Sequence, residues 1–188
     1  MIQEVILTTI NRLGQPHMAP MGVHLDGDNF IIMPFRPSAT LDNVLATQSA
    51  ALNYCDDVRV FAGCLTGRRD WPLLPTSAIL GFRLRDVLAH VELRLIRVED
   101  DAIRPKLHCQ PVYQAHHAPF QGFNRAQHAV LEAAILISRL NRLPLEKILA
   151  ELDYLRIGVE KTAGPREQEA WDWLMAAIAQ YQAGSNPP

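Results

Sequence analysis

Along the first hundred residues the apolar positions come in short runs separated by turn chemistry, whereas beyond about residue 120 they recur at helical spacing. Glu4 to Thr9 (EVILTT) is rich in β-branched residues and precedes Asn11-Arg12-Leu13-Gly14, a turn with glycine where a positive φ is wanted. His17 to Leu25 returns to a second turn, Asp26-Gly27-Asp28-Asn29, and the apolar run Phe30 to Met33 follows, so three antiparallel strands are predicted. Pro34-Phe35-Arg36-Pro37 cannot continue a ladder, and Thr40 to Leu45 predicts a Thr-capped helix start. Ala51 to Tyr54 reads as a further strand, Asp56 or Asp57 as the cap of a short helix through Val60 to Leu65, and 68–82 as an irregular, proline-containing loop. Val87 to Val98 alternates, with Val87, Ala89, Val91, Leu93 and Leu95 on one face and polar residues on the other; Leu107 to Gln114 is a weaker strand.

From Asn124 to Leu140, residues Ala126, Ala129, Val130, Ala133, Ile137 and Leu140 mark one helix face, and Pro144 interrupts the pattern. Leu145 to Leu155 and Arg166 to Gln182 give two more helices, the second opened by Pro165, and the tail from Gly184 to Pro188 is expected to fray. The fold class expected is α+β: an antiparallel split β-barrel over residues 1–115, with a helical region, 116–188, packed on it.

Composition narrows the function classes. A chain of 188 residues with 48% hydrophobic and 20% charged residues is long enough for a sizeable core and has no disorder signature. A net charge of -2 gives no electrostatic reason to expect nucleic acid or an anionic membrane as partner. No long uninterrupted apolar run occurs, and Met1-Ile2-Gln3-Glu4-Val5 has no charged leader, so neither export nor membrane spanning is expected. Three cysteines, Cys55, Cys64 and Cys109, form no C-x-x-C pair, which fits thiols in a reducing cytoplasm.

The candidate chemistry lies between the third strand and the first helix. Arg36, Ser38 and Thr40, within five residues of each other at a helix start, supply a guanidinium, two hydroxyls and unpaired N–H groups. That set suits the phosphate of a flavin mononucleotide, and equally any phosphate or sulfate. A flat isoalloxazine ring suits a wall with reachable backbone such as Ala19-Pro20-Met21-Gly22, where Gly22 permits close approach, and Phe35 is a candidate cover for a ring face.

The order of these elements resembles the FMN-binding split-barrel superfamily, which includes flavin reductase-like and pyridoxamine phosphate oxidase-like proteins. The matching residues are Ile6-Leu7-Thr8-Thr9-Ile10-Asn11 to Gly14, Pro16-His17-Met18-Ala19-Pro20-Met21-Gly22, and Ser38-Ala39-Thr40-Leu41-Asp42-Asn43. More narrowly, with Phe123-Asn124-Arg125-Ala126 and Glu132-Ala133-Ala134-Ile135, the chain resembles the prokaryotic flavoproteins catalogued as domain of unknown function 447. The resemblance implies FMN bound between two barrels of a homodimer. It places Thr8, Met21 and Gly22 by the flavin ring and Arg36, Ser38, Thr40 and Asn43 by the ribityl phosphate. No second pyridoxal-phosphate site is recognisable.

The function expected is an FMN-dependent oxidoreductase acting on a small molecule, with a non-catalytic FMN carrier or sensor as the alternative. His108, Cys109, His116 and His117, with His90, form the densest group of metal-ligand types, so a metal-dependent hydrolase is a third reading. The same histidines are candidates for lining the substrate side of a flavin pocket. Arg125, at a helix start after Gly122, is a candidate contact for an anionic substrate; the basic and aromatic stretch Arg68-Arg69-Asp70-Trp71 reads as an exposed loop within reach of a ligand, and Trp171 and Trp173 are expected to pack.

Overall fold

The computed structural model describes residues 1–184, and the expected fraying of Ser185 to Pro188 lies outside the described residues. The chain forms two compact units, one from Met1–Cys55 with Trp71–Phe120 and one from Asp56–Asp70 with the segment beginning at Gln121.

The first unit is a closed antiparallel barrel. Strands β1 (Ile2–Ile10), β2 (Pro16–Asp26) and β3 (Asn29–Ile32) follow the predicted hairpins, then helix α1 (Ala39–Thr47), β4 (Ser49–Tyr54), the short β5 (Leu73–Pro75) and β6 (Phe82–Leu84), β7 (Ala89–Glu99) and β8 (Lys106–His116). The barrel order is β1-β2-β3-β8-β7-β4, closed by β4 on β1. Asn11 fixes the first turn: its Oδ1 accepts from the N–H of Leu13 and Gln15, and Gly14 takes the required φ of +77°.

Val5, Leu7, Val23, Ile32, Leu52, Val91, Leu93 and Leu107 fill the barrel interior. Alternation then sends Ile6, Thr8, Asn53, His90 and Glu92 to the outer face, yet each is at most 2% exposed. The reason lies in 68–82, expected as an irregular loop: β5 forms within it and pairs as a hairpin with β6, which begins at its end and packs on β1 and β4. Strands of three residues carry no periodicity that a sequence pattern could register.

The second unit is a helical cluster of α2 (Val58–Leu65), α3 (Arg125–Ile137), α4 (Leu145–Thr162) and α5 (Pro165–Gln182). Asp57 caps α2 and Asn124 caps α3, as their residue types predict. Ala129, Val130, Ala133, Ile148, Leu152, Trp171 and Leu174 form its core. Gly158 lets α4 approach α3 closely, since a Cβ there would sit 3.3 Å from the Arg125 carbonyl oxygen. Trp171 is buried, and Trp173 carries the Arg68 guanidinium 4.6 Å above its ring, so both tryptophans pack. The α+β architecture expected from the sequence, an antiparallel barrel with C-terminal helices, is the one the chain adopts.

Candidate functional site

The sequence-selected residues fall into two groups on the barrel unit. At the start of α1, the N-cap is Ser38 rather than Thr40: Ser38 is extended (φ -158°, ψ 147°) and its Oγ accepts from the Leu41 N–H, while Thr40 lies within the helix and is buried. Arg36 stands just ahead of this cap, its Nη2 2.8 Å from Asp100 Oδ1 in an exposed ion pair. Its backbone N–H donates to the Ile103 carbonyl. Phe35 is 43% exposed and stacks under the Arg104 guanidinium, 4.7 Å from the ring centroid. Asn43, one turn along α1, is buried and donates to Thr9 Oγ1 at 3.0 Å. It also lines a cleft of about 470 Å³ with Asn11, Arg12, Leu13 and Asp42.

The second group lies on β1 and β2. Thr8 points outward, and its hydroxyl donates to the Phe82 carbonyl at 2.6 Å under the β5–β6 hairpin. Gly22 pairs with Glu4, and a Cβ at Gly22 would meet Glu4 Oε1 and Ile2 Cγ2 at 3.1 Å each, so a larger residue there would displace these two exposed side chains slightly. Met21 packs against the barrel interior, opposite in direction to Gly22. Arg36, Ser38, Thr40 and Asn43 therefore come together at one helix terminus, while Thr8, Met21 and Gly22 are spread over a strand pair.

The histidines do not assemble as a metal-hydrolase centre. His108 and His116 are eight residues apart on one strand, about 26 Å at the usual rise. His108 contacts Arg97 and Glu99, and Cys109 points into the barrel core, where burial pushes its thiol up to about 12. Among the described residues no group of three or more His, Cys, Asp or Glu is placed to hold a metal ion.

What residue reading missed is a polar network on the outer face beneath the β5–β6 hairpin. Asn53, fully buried, donates to Thr8 Oγ1 and accepts from the Leu84 N–H at 2.8 Å. On the adjacent strand, Glu92 accepts from the N–H groups of Ser77, Ala78 and Ile79 at 2.6, 2.6 and 3.0 Å. Its Oε1 also lies 3.2 Å from His90 Nε2. Burial pushes the Glu92 carboxyl up, but the three N–H groups and His90 outweigh it and hold it below the usual carboxylate range. His90 is held neutral chiefly by burial, against the pull of Glu92. The alternation of Val87 to Val98 put His90 and Glu92 on the polar face; an H-x-E pair on that face was the available signal.

Residues 3–118 match the N-terminal domain, and residues 124–176 the remainder, of the family described as protein of unknown function (DUF447). An FMN-bound protein of that family from Methanosarcina mazei superposes with a TM-score of 0.80 at 21% identity, over 93% of this chain and 94% of that chain. A 2-nitrobenzoate 2-nitroreductase from Pseudomonas fluorescens matches with a TM-score of 0.53 at 17% identity, over 61% of this chain and 64% of that one. An FMN-binding protein from Thermus thermophilus with bound 1-cyclohex-2-enone gives 0.51 at 14%, over 60% and 69%. No curated protein matches the sequence. With both segments of the chain matched in order, the protein belongs to the DUF447 family.

Proposed function

We propose that this protein binds FMN on its barrel unit and is an oxidoreductase acting on a small molecule. The observation that carries the reading is the likeness of nearly the whole chain to an FMN-bound member of its own family. The donor set at the start of α1 fits the group. Arg36 is exposed and its ion pair with Asp100 lies at the surface, so a phosphate can take the place of that carboxylate. Ser38 Oγ and the first-turn N–H groups of α1 add neutral donors and the positive end of the helix dipole.

Bound FMN supplies hydride or single-electron transfer, and the chain's part is to hold it, orient a substrate and exclude water. Asn43 and Thr9 stiffen the first turn of α1 against β1, which keeps the phosphate donors in register with the barrel wall. Thr8, buried and locked between Asn53 and Phe82 beneath the β5–β6 hairpin, would stiffen the barrel wall from behind rather than present a face to the ring. The reading includes a homodimer, with the flavin between two barrels, and a cytoplasmic location, which suits three cysteines that are all free thiols.

The test is anaerobic photoreduction of the FMN-loaded protein followed by mixing with a nitroaromatic, a quinone and a cyclic enone. Reoxidation by one of these well above the rate of free reduced FMN supports an oxidoreductase. A protein that holds FMN and accelerates none of them is a carrier or sensor.

A further inference from the structure

The buried network ends at the surface. His90 Nδ1 lies 2.9 Å from His117 Nε2, the two rings stack with centroids 5.1 Å apart and an interplanar angle of 17°, and His117, just beyond β8, is exposed. The hydrogens are fixed by elimination. An ionised Glu92 only accepts, so His90 Nε2 must donate to it; neutral His90 then has only a lone pair at Nδ1, so His117 Nε2 must donate to that. His117 is left with a bare Nδ1 turned away from the relay.

We infer that His117, wired through His90 to the buried Glu92, is a proton-accepting site on the outer face of the barrel for a ligand with a weakly acidic O–H or N–H group. When such a ligand gives up its proton, its O–H or N–H bond breaks and the electron pair stays on the ligand. The new N–H bond forms at His117 Nδ1. The imidazolium charge is stabilised by His90, whose Nδ1 accepts from His117 Nε2 and whose Nε2 donates to the Glu92 carboxylate. The reverse transfer returns the proton. His117 is the reacting group; His90 and Glu92 are positioning residues.

The surroundings select the ligand class. Burial, and the charge of Arg83 on β6, whose Nη1 is held by the carbonyls of Leu84 and Arg85, lower both histidines, so a proton on His117 is held only where the ligand it came from stays beside it as an anion. The other facing groups are Tyr113, whose ring centroid is 5.7 Å from that of His90, and His116. A neutral base beside a fixed cation favours a ligand whose conjugate base is an anion, such as a phenol, an enol or an imide. Such a site is also placed for the proposed chemistry: Asn53, cross-strand partner of His90, bonds to Thr8. Two strand spacings, about 10 Å, separate β7 from β1 on this face.

The inference stands without flavin, so it is tested on protein carrying none, by histidine ¹⁵N NMR and by titration with 4-nitrophenol. The expected result is His117 as the Nε2–H tautomer, with 4-nitrophenol bound as the yellow phenolate while His117 becomes imidazolium. His117→Gln, a surface change, should weaken phenolate binding roughly ten-fold or more. His90→Phe and Glu92→Gln should return His117 to a tautomer mixture; if either fails to fold, His117→Gln and the wild-type tautomer still decide. A wild-type His117 protonated at Nδ1 would overturn the relay. Absence of phenolate binding, or binding unchanged in His117→Gln, would overturn the site.

Discussion

Asn53 and Thr8 are diagonal neighbours across the β4–β1 ladder, the Asn53 amide donating to Thr8 Oγ1 at 3.1 Å, and between them they tie the β5–β6 hairpin to the barrel. Thr8 reaches the Phe82 carbonyl, and Asn53 takes the Leu84 N–H, so both ends of β6 hang on these two side chains. Asn53→Leu would leave the Leu84 N–H and the Thr8 hydroxyl under-satisfied in a dry interface. It should destabilise the fold by about 2 to 4 kcal/mol, read as a lowered urea midpoint. A midpoint equal to wild type would remove the hairpin from the stability of the barrel.

Arg36→Ala should leave the folding midpoint almost unchanged, because an exposed ion pair such as Arg36–Asp100 is worth about 0 to 1 kcal/mol. FMN affinity should fall by about 1.5 to 3 kcal/mol, roughly ten- to a hundredfold, through loss of a charge-assisted phosphate contact. Fluorescence titration of FMN reads this directly. Equal affinity would take Arg36 out of the phosphate site.

Ser38→Ala separates cap from ligand. Loss of the Ser38 Oγ bond to the Leu41 N–H should cost about 0.5 to 2 kcal/mol in stability. If Ser38 also donates to the phosphate, FMN binding weakens beyond what wild type shows at matched global stability in mild urea. Asp42 lies in the same first turn and opposes an anion, so Asp42→Asn should tighten FMN binding slightly.

Acid should destabilise the barrel, with two groups acting in the same sense. The Glu92 carboxyl is depressed in the fold, so its contribution is complete above the ordinary value of about 4.3 and is lost as pH falls through the lower folded value. His90 is held neutral in the fold, so below about pH 6.5 the unfolded chain binds the proton more readily and stability declines. Urea midpoints should therefore fall from pH 7 to pH 5 and again below pH 4.5, and Glu92→Gln should flatten the lower limb. Midpoints independent of pH would contradict the assignment of Glu92 as an ionised, buried acceptor.

Much of this architecture is legible in the residues. The hairpin turns at Asn11–Gly14 and Asp26–Asn29, the caps Asp57 and Asn124, and the helical spacing after Asn124 are local signals, and local structure obeys them. The covered outer face is not legible. His90 and Glu92 alternate with Val91 and Leu93 as solvent-facing residues would, and only the β5–β6 hairpin, too short to show a period, turns them into a buried network. The stacking of Arg104 on Phe35 is illegible for a related reason: the two lie 69 positions apart and leave no trace in the local pattern. The apolar face of 58–65 likewise marks a helix without saying which surface it covers.

Flavin binding by the barrel unit is read most directly in the visible absorption spectrum of the purified protein, before and after titration with FMN. Flavin bands are expected, perturbed from those of free FMN, saturating at about one FMN per chain and weakened by Arg36→Ala. A protein that is colourless as purified and leaves the spectrum and fluorescence of added FMN unchanged would contradict flavin binding.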